Sequence, residues 1–472
     1  MGRSDQRSIA DAGGAVDTWE TVRRAFSEFL TLPTGTIIGF LLLAAGTFVL
    51  DRTEVASLEP ARAFLKTQIF TDAKATSDLL STIASGLITV TSITISLLLL
   101  ALQQATGFLT TEVCDQFLRR RLNQFYFGFF VGLSLFALVT LATVNERFNP
   151  VFGATLALLL TAGALYLLIL LLYTTINQMR PVEIIEEIHR LTLLARERQL
   201  GFLRKIRRLS RDDGAARALV KATKHGYVTG IDIDAIGHAA RRAGDHVEVV
   251  LLVRIGSFVA WHDVVAYAKG AAPDEAMQLE QVVQGAVHLE RQRDIVIDSA
   301  YGIEQLEMIA WTSISTAKSN PAPGLLTIRS LRDVLARWSV EAREQTDDQT
   351  LPVVYDDNTF SRLMDAFENL AVVSSESMQH QTYIEVVHTL TTMFERLPID
   401  HQRRAEDIIL RILSVLGDHV LTAELDAALS ALVGTLRATA HVETADAVCA
   451  AQERLGRSIG KLNSHSTRAA TA

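Results

Sequence analysis

The chain has 472 residues, which is too many for one ordinary domain. Its formal net charge of −8 argues against a nucleic-acid-binding protein, and we expect no nucleic-acid partner. With only two cysteines, Cys114 and Cys449, it has neither a disulfide scaffold nor a cysteine-rich metal site. The apolar residues, 49% of the chain, are concentrated in its first part.

Four stretches in that first part contain no charged residue. They are Phe29–Leu50, Leu79–Thr111, Leu122–Asn145 and Phe148–Met179. Each supplies the ~20 residues that a helix needs to cross a ~30 Å hydrocarbon layer. A soluble four-helix bundle would need a charged face on each helix, and none is present. The sequence therefore predicts a transmembrane domain over residues 29–180 with the lipid bilayer as a partner. The polar segment 1–28 shows no cleavable signal peptide.

The distribution of basic residues predicts the orientation of these spans. Arg23 and Arg24 precede the first span, the triplet Arg119–Arg121 separates the second and third, and many arginines follow the fourth. Because basic residues are enriched in cytoplasmic loops, we expect both termini in the cytoplasm. The third and fourth spans are expected to form a tight hairpin on the outer side.

The second span carries a stripe of hydroxyl residues at steps of three and four. Its members are Thr82, Ser85, Thr89, Ser92 and Ser96, with Gln103 and Thr106 extending the register beyond Leu99. On a helix they share one face. Three interpretations stay open: close packing against another helix, a water-lined pore or cavity, and hydroxyls bonded back to their own helix. Without a charge, the stripe does not indicate a proton relay.

After the fourth span, apolar residues at helical spacing predict a juxtamembrane helix within residues 181–225. Basic residues cluster at its end, and two interpretations remain: contact with anionic lipid headgroups, or a solvated helix face. The cluster that would touch lipid is Arg204, Lys205, Arg207 and Arg208.

The remainder predicts a cytoplasmic α+β region, so the whole chain is mainly α. Short strand-like runs with glycines predict a small β-containing module at 226–272, in which Lys269 is expected on the surface. A helical subdomain at 273–343, a linker at 344–358, a C-terminal helical subdomain at 359–462 and a disordered tail at 463–472 follow. Five helices are expected between residues 360 and 459.

No phosphate-binding loop, HExxH motif, nucleophile elbow or kinase signature is present. We therefore predict no catalytic residue, no metal site and no cofactor. The most prominent polar cluster is Arg291, Asp294, Asp298, Glu304 and Glu307. The first three have the spacing of one helix face, and the last two continue a neighbouring face if the helix passes Gly302. A salt-bridge network, a ligand site and an oligomer contact all remain open.

Three stretches give the chain a family resemblance. They are FLRRRLNQ at 117–124 with FGFF at 127–130, GYVTGID at 226–232 with GSFV at 256–259, and RQRD at 291–294 with Asp298 and YGIEQL at 301–306. Together they resemble the bacterial membrane-protein family known as domain of unknown function 2254. The resemblance implies this architecture in a bacterial inner (plasma) membrane, without an established activity.

One stretch departs from that family's pattern. Relatives tend to carry Ser-Pro-x-x-Asn-Asp-Pro-x-Thr, whereas residues 315–323 here read STAKSNPAP, with Ser319 and Asn320 at the Asn-Asp positions. An acidic group is therefore absent. If that acid serves a ligand or ion site in relatives, the site is altered here.

Two functional hypotheses follow. In the first, the chain is a homo-oligomeric channel- or transporter-like assembly with a cytoplasmic regulatory domain. In the second, it is a membrane-anchored structural or signalling scaffold without transport. An intramembrane enzyme is disfavoured because the spans contain no Asp, Glu, His, Lys or Arg.

Overall fold

A computed structural model describes residues 30–53, 59–106, 121–178, 180–210, 217–315, 320–344, 351–416 and 420–458. The predicted N-terminal segment and tail lie outside these ranges, as do Cys114, Arg119, Arg120 and Ser319. The chain divides into two compact units, Met1–Arg180 and Pro181–Ala472. We call the first the membrane block and the second the α+β unit.

The described part of the membrane block contains five helices. They are α1 (Thr31–Arg52), α2 (Glu59–Gln68), α3 (Ala73–Thr106), α4 (Arg121–Thr143) and α5 (Val151–Gln178). All but α2 are long and apolar enough to cross a membrane, as predicted. The short amphipathic helix α2 was not predicted, because its ten residues lie in a mixed-charge loop. A tight turn joins α4 to α5, with Asn145 and Phe148 exchanging backbone hydrogen bonds.

Two glycines on α4 let α1 approach closely. A Cβ on Gly128 would lie 2.7 Å from Cα of Pro33, and one on Gly132 would lie 2.5 Å from Cδ2 of Phe40. The two glycines are four residues apart, the spacing at which small residues bring membrane helices together. Phe40 then packs edge-on against Phe136 in the core of the block.

Asp51 and Arg62 both cap helix ends in this block. The carboxylate of Asp51, at the end of α1, accepts hydrogen bonds from the backbone N–H groups of Phe152 and Gly153 at the start of α5, both at 2.9 Å. The guanidinium of Arg62 donates to three carbonyl oxygens at the end of α1, at 2.9–3.1 Å. Such caps satisfy end groups that have no partner within their own helix.

The α+β unit begins with α6 (Pro181–Leu203), and its strands form two small sheets. The strands are β1 (Arg217–Lys221), β2 (Gly226–Ile231), β3 (Glu248–Leu251), β4 (Phe258–Val259), β5 (Val264–Lys269), β6 (Val287–Glu290) and β7 (Val353–Val354). One sheet has the order β1-β5-β3-β7 and the other β4-β2-β6. Helices α7 (Ile233–Ala243) and α8 (Pro273–Ala286) pack beside them over a shared apolar core.

The remaining helices form a helical layer. They are α9 (Ser299–Ser315), α10 (Pro321–Glu344), α11 (Thr359–Glu376), α12 (His380–Phe394), α13 (Ile399–Ser414), α14 (Ala423–Ala438) and α15 (Val442–Ser458). The last five are the helices predicted between residues 360 and 459. Helix α9 lies at the centre, in contact with α6, α10 and α11. Its approach to α6 is close, because a Cβ on Gly302 would lie 2.1 Å from Oγ1 of Thr192.

Two residues of the predicted linker 344–358, Val353 and Val354, form strand β7 of a sheet. Strand β7 pairs in parallel with β3, and on its other side the N–H of Arg207 donates to the carbonyl oxygen of Val353 at 2.9 Å. Residues 351–355 are buried. This segment therefore ties the strands to the helical layer, although two paired residues give too short a pattern to predict a strand.

We expect Gly128→Ala to weaken the packing of α1 on α4, because the new methyl group would collide with the Pro33 backbone. The expected result is a loss of folded, monodisperse protein and a lower apparent Tm in nanodiscs, corresponding to about 1–3 kcal/mol. The matched control is Gly163→Ala on α5, where a Cβ would meet nothing within 4 Å. Equal behaviour of the two variants would contradict the close approach.

Candidate functional site

The hydroxyl stripe lies on the outer surface of the membrane block. Thr82, Ser85, Thr89, Ser92 and Ser96 are all exposed. The opposite face of α3, including Leu80, Leu87 and Thr94, is buried among the other spans. At 1.5 Å per residue, the stripe extends over about 21 Å of the helix axis, most of the ~30 Å hydrocarbon thickness. The side chains of Gln103 and Thr106 lie outside the described residues.

Each stripe hydroxyl donates a hydrogen bond within α3. The acceptors are backbone carbonyl oxygens four residues earlier, at 2.8–3.1 Å. A hydroxyl has one proton and two lone pairs, so each oxygen still has accepting capacity toward a group outside the block. Beside the stripe, exposed positions are apolar, as at Ile88, Ile95 and Leu99. The outer surface of α3 therefore has a narrow polar face next to an apolar one.

The predicted polar cluster of the α+β unit is organised around Arg293. Its guanidinium donates from Nε to Asp298 Oδ2 at 2.8 Å and from Nη1 to Glu304, and it lies 4.5 Å from the centre of the Tyr301 ring. The other oxygen of Asp298 accepts from the Tyr301 N–H at the start of α9. Asp298 is 1% exposed. We call these four residues, with Gly256, the Arg293 junction.

Gly256 places a turn of the β-containing module against this ion pair. Its φ is +86°, and a Cβ there would lie 2.1 Å from Asp298 Oδ2 and 2.7 Å from Arg293 Nη2. Only glycine meets both requirements, a left-handed backbone and the absence of a side chain. The buried ion pair therefore joins the module to helix α9.

The prediction that Arg291, Asp294 and Asp298 share one helix face was wrong. Strand β6 ends at Glu290 and α9 begins only at Ser299. Between them Asp294 accepts from the Val296 N–H at 2.8 Å, a local turn that competes with helix formation. Arg291 is exposed, and α9 does continue past Gly302. Arg293, the central residue, was part of the same sequence run but was not selected.

Glu304 and Glu307 lie on α9 in different environments. Glu304 forms ion pairs with Arg293 and, at 3.3 Å, with Arg362. Glu307 accepts a hydrogen bond from Asn369 at 2.8 Å. Burial raises the pKa of the Glu307 carboxyl, and neighbouring Glu304 adds to this, although the Asn369 hydrogen bond opposes it. Within the described ranges, no group of three or more His, Cys, Asp or Glu side chains is placed to hold a metal ion.

A second buried ion cluster was missed by sequence reasoning. Arg196 on α6 donates to Asp357 at 2.7 Å and to Glu341 at 3.3 Å, and it lies 5.1 Å from the Trp338 ring centre. Burial alone would raise the pKa of Asp357, but Arg196 and hydrogen bonds from Thr359 outweigh it and lower the pKa. In sequence, Arg196 was one more basic residue near the membrane, and Asp357 was in a predicted linker.

Two of the four basic residues proposed for lipid contact have partners in the protein. Lys205 pairs with Asp234 at 2.7 Å, and Arg207 pairs with the buried Glu248 at 3.0 Å. Arg204 and Arg208 are exposed.

The surface position expected for Lys269 was wrong. Lys269 is 3% exposed, lies opposite Glu248 across β3 and β5, and donates to Ser210 at 2.6 Å. Cross-strand pairing with an acid therefore buries this lysine, which its position at the end of a strand did not reveal.

A family model described as "Predicted membrane protein (DUF2254)" matches residues 27–392. Helices α13, α14 and α15 lie beyond the matched region. No curated protein and no solved structure matches the chain.

We expect Gly256→Ala to disrupt the Arg293 junction, because the residue would be strained and its methyl group would displace Asp298. The α+β unit should lose about 2 kcal/mol or more, and residues 291–299 should exchange amide hydrogens faster. Gly285→Ala on α8 is the matched control, since a Cβ there meets nothing within 4 Å. Unchanged exchange in Gly256→Ala would show that the contact contributes little.

We expect Glu307→Gln to raise the apparent Tm of the full chain at pH 7. The raised pKa means that the folded chain binds this proton more tightly than the unfolded chain, in which the carboxyl has its ordinary pKa of 4.5. The free energy of unfolding of the wild type therefore falls as the pH rises from about 4.5 through the raised pKa of Glu307. The uncharged amide of the Glu307→Gln variant avoids this loss of stability. The two proteins should converge below about pH 4.5.

Thermal unfolding of both proteins across pH, followed by tryptophan fluorescence, measures this difference. Glu304→Gln is the control, and it should lower the apparent Tm at pH 7 because it weakens two ion pairs. A Glu307→Gln protein less stable than the wild type at pH 7 would contradict the argument.

Proposed function

We propose, from the premise that this chain belongs to the DUF2254 family of predicted membrane proteins, that copies of it assemble into a channel- or transporter-like oligomer. In this proposal the α+β unit is the regulatory part. We further propose that the protein lies in the inner (plasma) membrane of a bacterium with both termini in the cytoplasm, as the arginine distribution favours.

The observation that supports assembly is the outward hydroxyl stripe. A polar face about 21 Å long is an unfavourable surface to leave against lipid chains. In a closed ring of identical subunits, the same face of every copy points toward the same axis or the same neighbour. Stripes gathered in this way would line a path with hydroxyl oxygens. Because the stripe has no charge, such a path would select by size and hydrogen bonding rather than by the sign of an ion's charge.

The α+β unit offers a means of transmitting a signal in this proposal. The Arg293 junction holds the β-containing module on α9, and the ion pairs of Arg196 with Glu341 and Asp357 hold α6 to α10 and to the segment before α11. Both are internal ion pairs with their partners in place, so a salt-bridge network is the interpretation of the predicted cluster that we favour. Arg204 and Arg208 remain as the proposed contacts with anionic headgroups.

The alternative is a membrane-anchored structural or signalling scaffold without transport. One observation favours it: each of the five hydroxyls already donates to its own helix, so none needs water as an acceptor. Small hydroxyl residues also suit dry packing between neighbouring copies.

Cysteine accessibility separates the two functions. In a background carrying Cys114→Ser and Cys449→Ser, single substitutions Ser85→Cys, Thr89→Cys and Ser92→Cys are placed along the stripe. The matched controls are Ile88→Cys and Ile95→Cys, which are exposed on the adjacent apolar face of the same helix. For a transport path, we expect a charged, membrane-impermeant thiosulfonate reagent to modify the stripe cysteines but not the controls.

The same proteoliposomes are assayed for flux of potassium, chloride and a small neutral solute. Modification of a stripe cysteine should reduce the flux, because a bulky charge then occupies the path. Unreactive stripe cysteines that cross-link readily between copies would instead support the scaffold. Unreactive cysteines that do not cross-link would contradict both, since the stripe would then face lipid.

A further inference from the structure

Strand β4 and the turn after it expose two large aromatic side chains of the β-containing module. Trp261 is 66% exposed and Phe258 is 58% exposed. Backbone hydrogen bonds join this segment to the residues that follow β1: the His262 N–H donates to the carbonyl oxygen of Ala222 at 3.0 Å, and the Ala222 N–H donates to that of Asp263 at 2.8 Å. We call residues 221–225 and 258–263 together the aromatic tip.

The local structure holds Trp261 in its exposed position. The ring of His262 stacks on it with 3.7 Å between centroids. His262 has a φ of 69°, which is uncommon for a residue other than glycine and is unfavourable. Such strain persists only where the surrounding structure enforces it, and it concentrates at functional positions. Phe258 is supported in a similar way, edge-on against Tyr227 with 5.3 Å between centroids.

Basic side chains lie in the segment that these backbone hydrogen bonds join to Trp261 and its neighbours. Lys221 at the end of β1 is exposed, as are Lys224 and His225 after it. The one carboxylate of the tip, Asp263, accepts a hydrogen bond from the Ala260 N–H at 2.7 Å. An apolar ring pair beside lysines and a histidine is the composition of segments that lie at the interface of a membrane with anionic lipids.

We infer that the aromatic tip docks on the anionic headgroup layer of the bilayer in which the chain is anchored. The covalent connection keeps that surface within reach: β1 follows the end of α5 by 39 residues (217 − 178), and 23 of the residues between form helix α6. A helix of that length spans only about 35 Å. Tethering makes docking effectively intramolecular, so a weak interfacial affinity suffices. The inference does not depend on the transport proposal.

Fluorescence quenching by brominated lipids tests the docking in the full chain. The protein is placed in nanodiscs containing phosphatidylglycerol or phosphatidylcholine alone, with and without bromine on the acyl chains near the headgroups. Subtracting the spectrum of Trp261→Phe from that of the wild type isolates the emission of Trp261. In anionic nanodiscs we expect this emission to fall about twofold with bromine, since interfacial side chains reach ~5–10 Å into the headgroup and acyl boundary.

Trp311 on α9 is the matched control, since it is partly exposed but lies outside the aromatic tip. Its emission, isolated with Trp311→Phe, should not depend on bromine. The double substitution Lys221→Glu with Lys224→Glu should abolish the quenching of Trp261.

Three results would overturn the inference. Trp261 emission that is independent of bromine in anionic nanodiscs would show that the tip stays away from lipid. Equal quenching in neutral and anionic nanodiscs would remove the role of headgroup charge. A blue-shifted Trp261 emission without quenching would indicate a protein partner or a second copy of the chain instead.

Discussion

A polar group that is buried in the protein or faces lipid is costly without a partner, and this constraint shapes both units. In the membrane block no water completes a hydrogen bond inside the hydrocarbon layer. The stripe hydroxyls therefore donate to their own helix. Asp51 supplies acceptors for the start of α5, and Arg62 supplies donors for the end of α1. Without these partners, helix ends would be left unsatisfied at the edge of the bilayer.

In the α+β unit the same constraint acts on charges. Asp298 and Arg196 are almost fully buried, and each would be costly without its counter-ion. Arg196 finds its partners in distant parts of the sequence, so its ion pairs also fix the arrangement of the elements that carry them. Asp298 pairs with Arg293, only five residues before it. The absence of a side chain at Gly256 is what allows one such pair to close against a turn of the β-containing module. The formation of these ion pairs therefore depends on how closely the surrounding elements pack.

Two exposed surfaces do not match the polarity of their surroundings. The hydroxyl stripe lies opposite the buried face of α3, and the aromatic tip holds Trp261 in solvent on a strained loop. A polar face on a membrane helix and an apolar face on a polar module are each exposed where their chemistry is unfavourable. Both are therefore surfaces on which we propose contacts, the stripe with other copies of the chain and the tip with lipid.

The sequence by itself determined the features that depend on local composition. Long charge-free runs predict membrane helices, and apolar residues at helical spacing identify the five C-terminal helices. The hydroxyl stripe was visible because residues three and four apart share a helix face. The family resemblance also came from contiguous stretches, and the family match covers residues 27–392.

Only the tertiary structure decided which charges meet and which side of a helix is free. The Arg291 to Asp298 run has helical spacing, yet strand pairing of β6 and the Asp294 turn keep it irregular. Lys269 and Arg196 resemble surface residues in sequence, but acids from other elements bury them. The orientation of the stripe away from the other spans depends on packing between helices. For Lys269, Arg196 and the stripe the physical reason is the same: burial and long-range ion pairs depend on residues far apart in the chain, which no local pattern records.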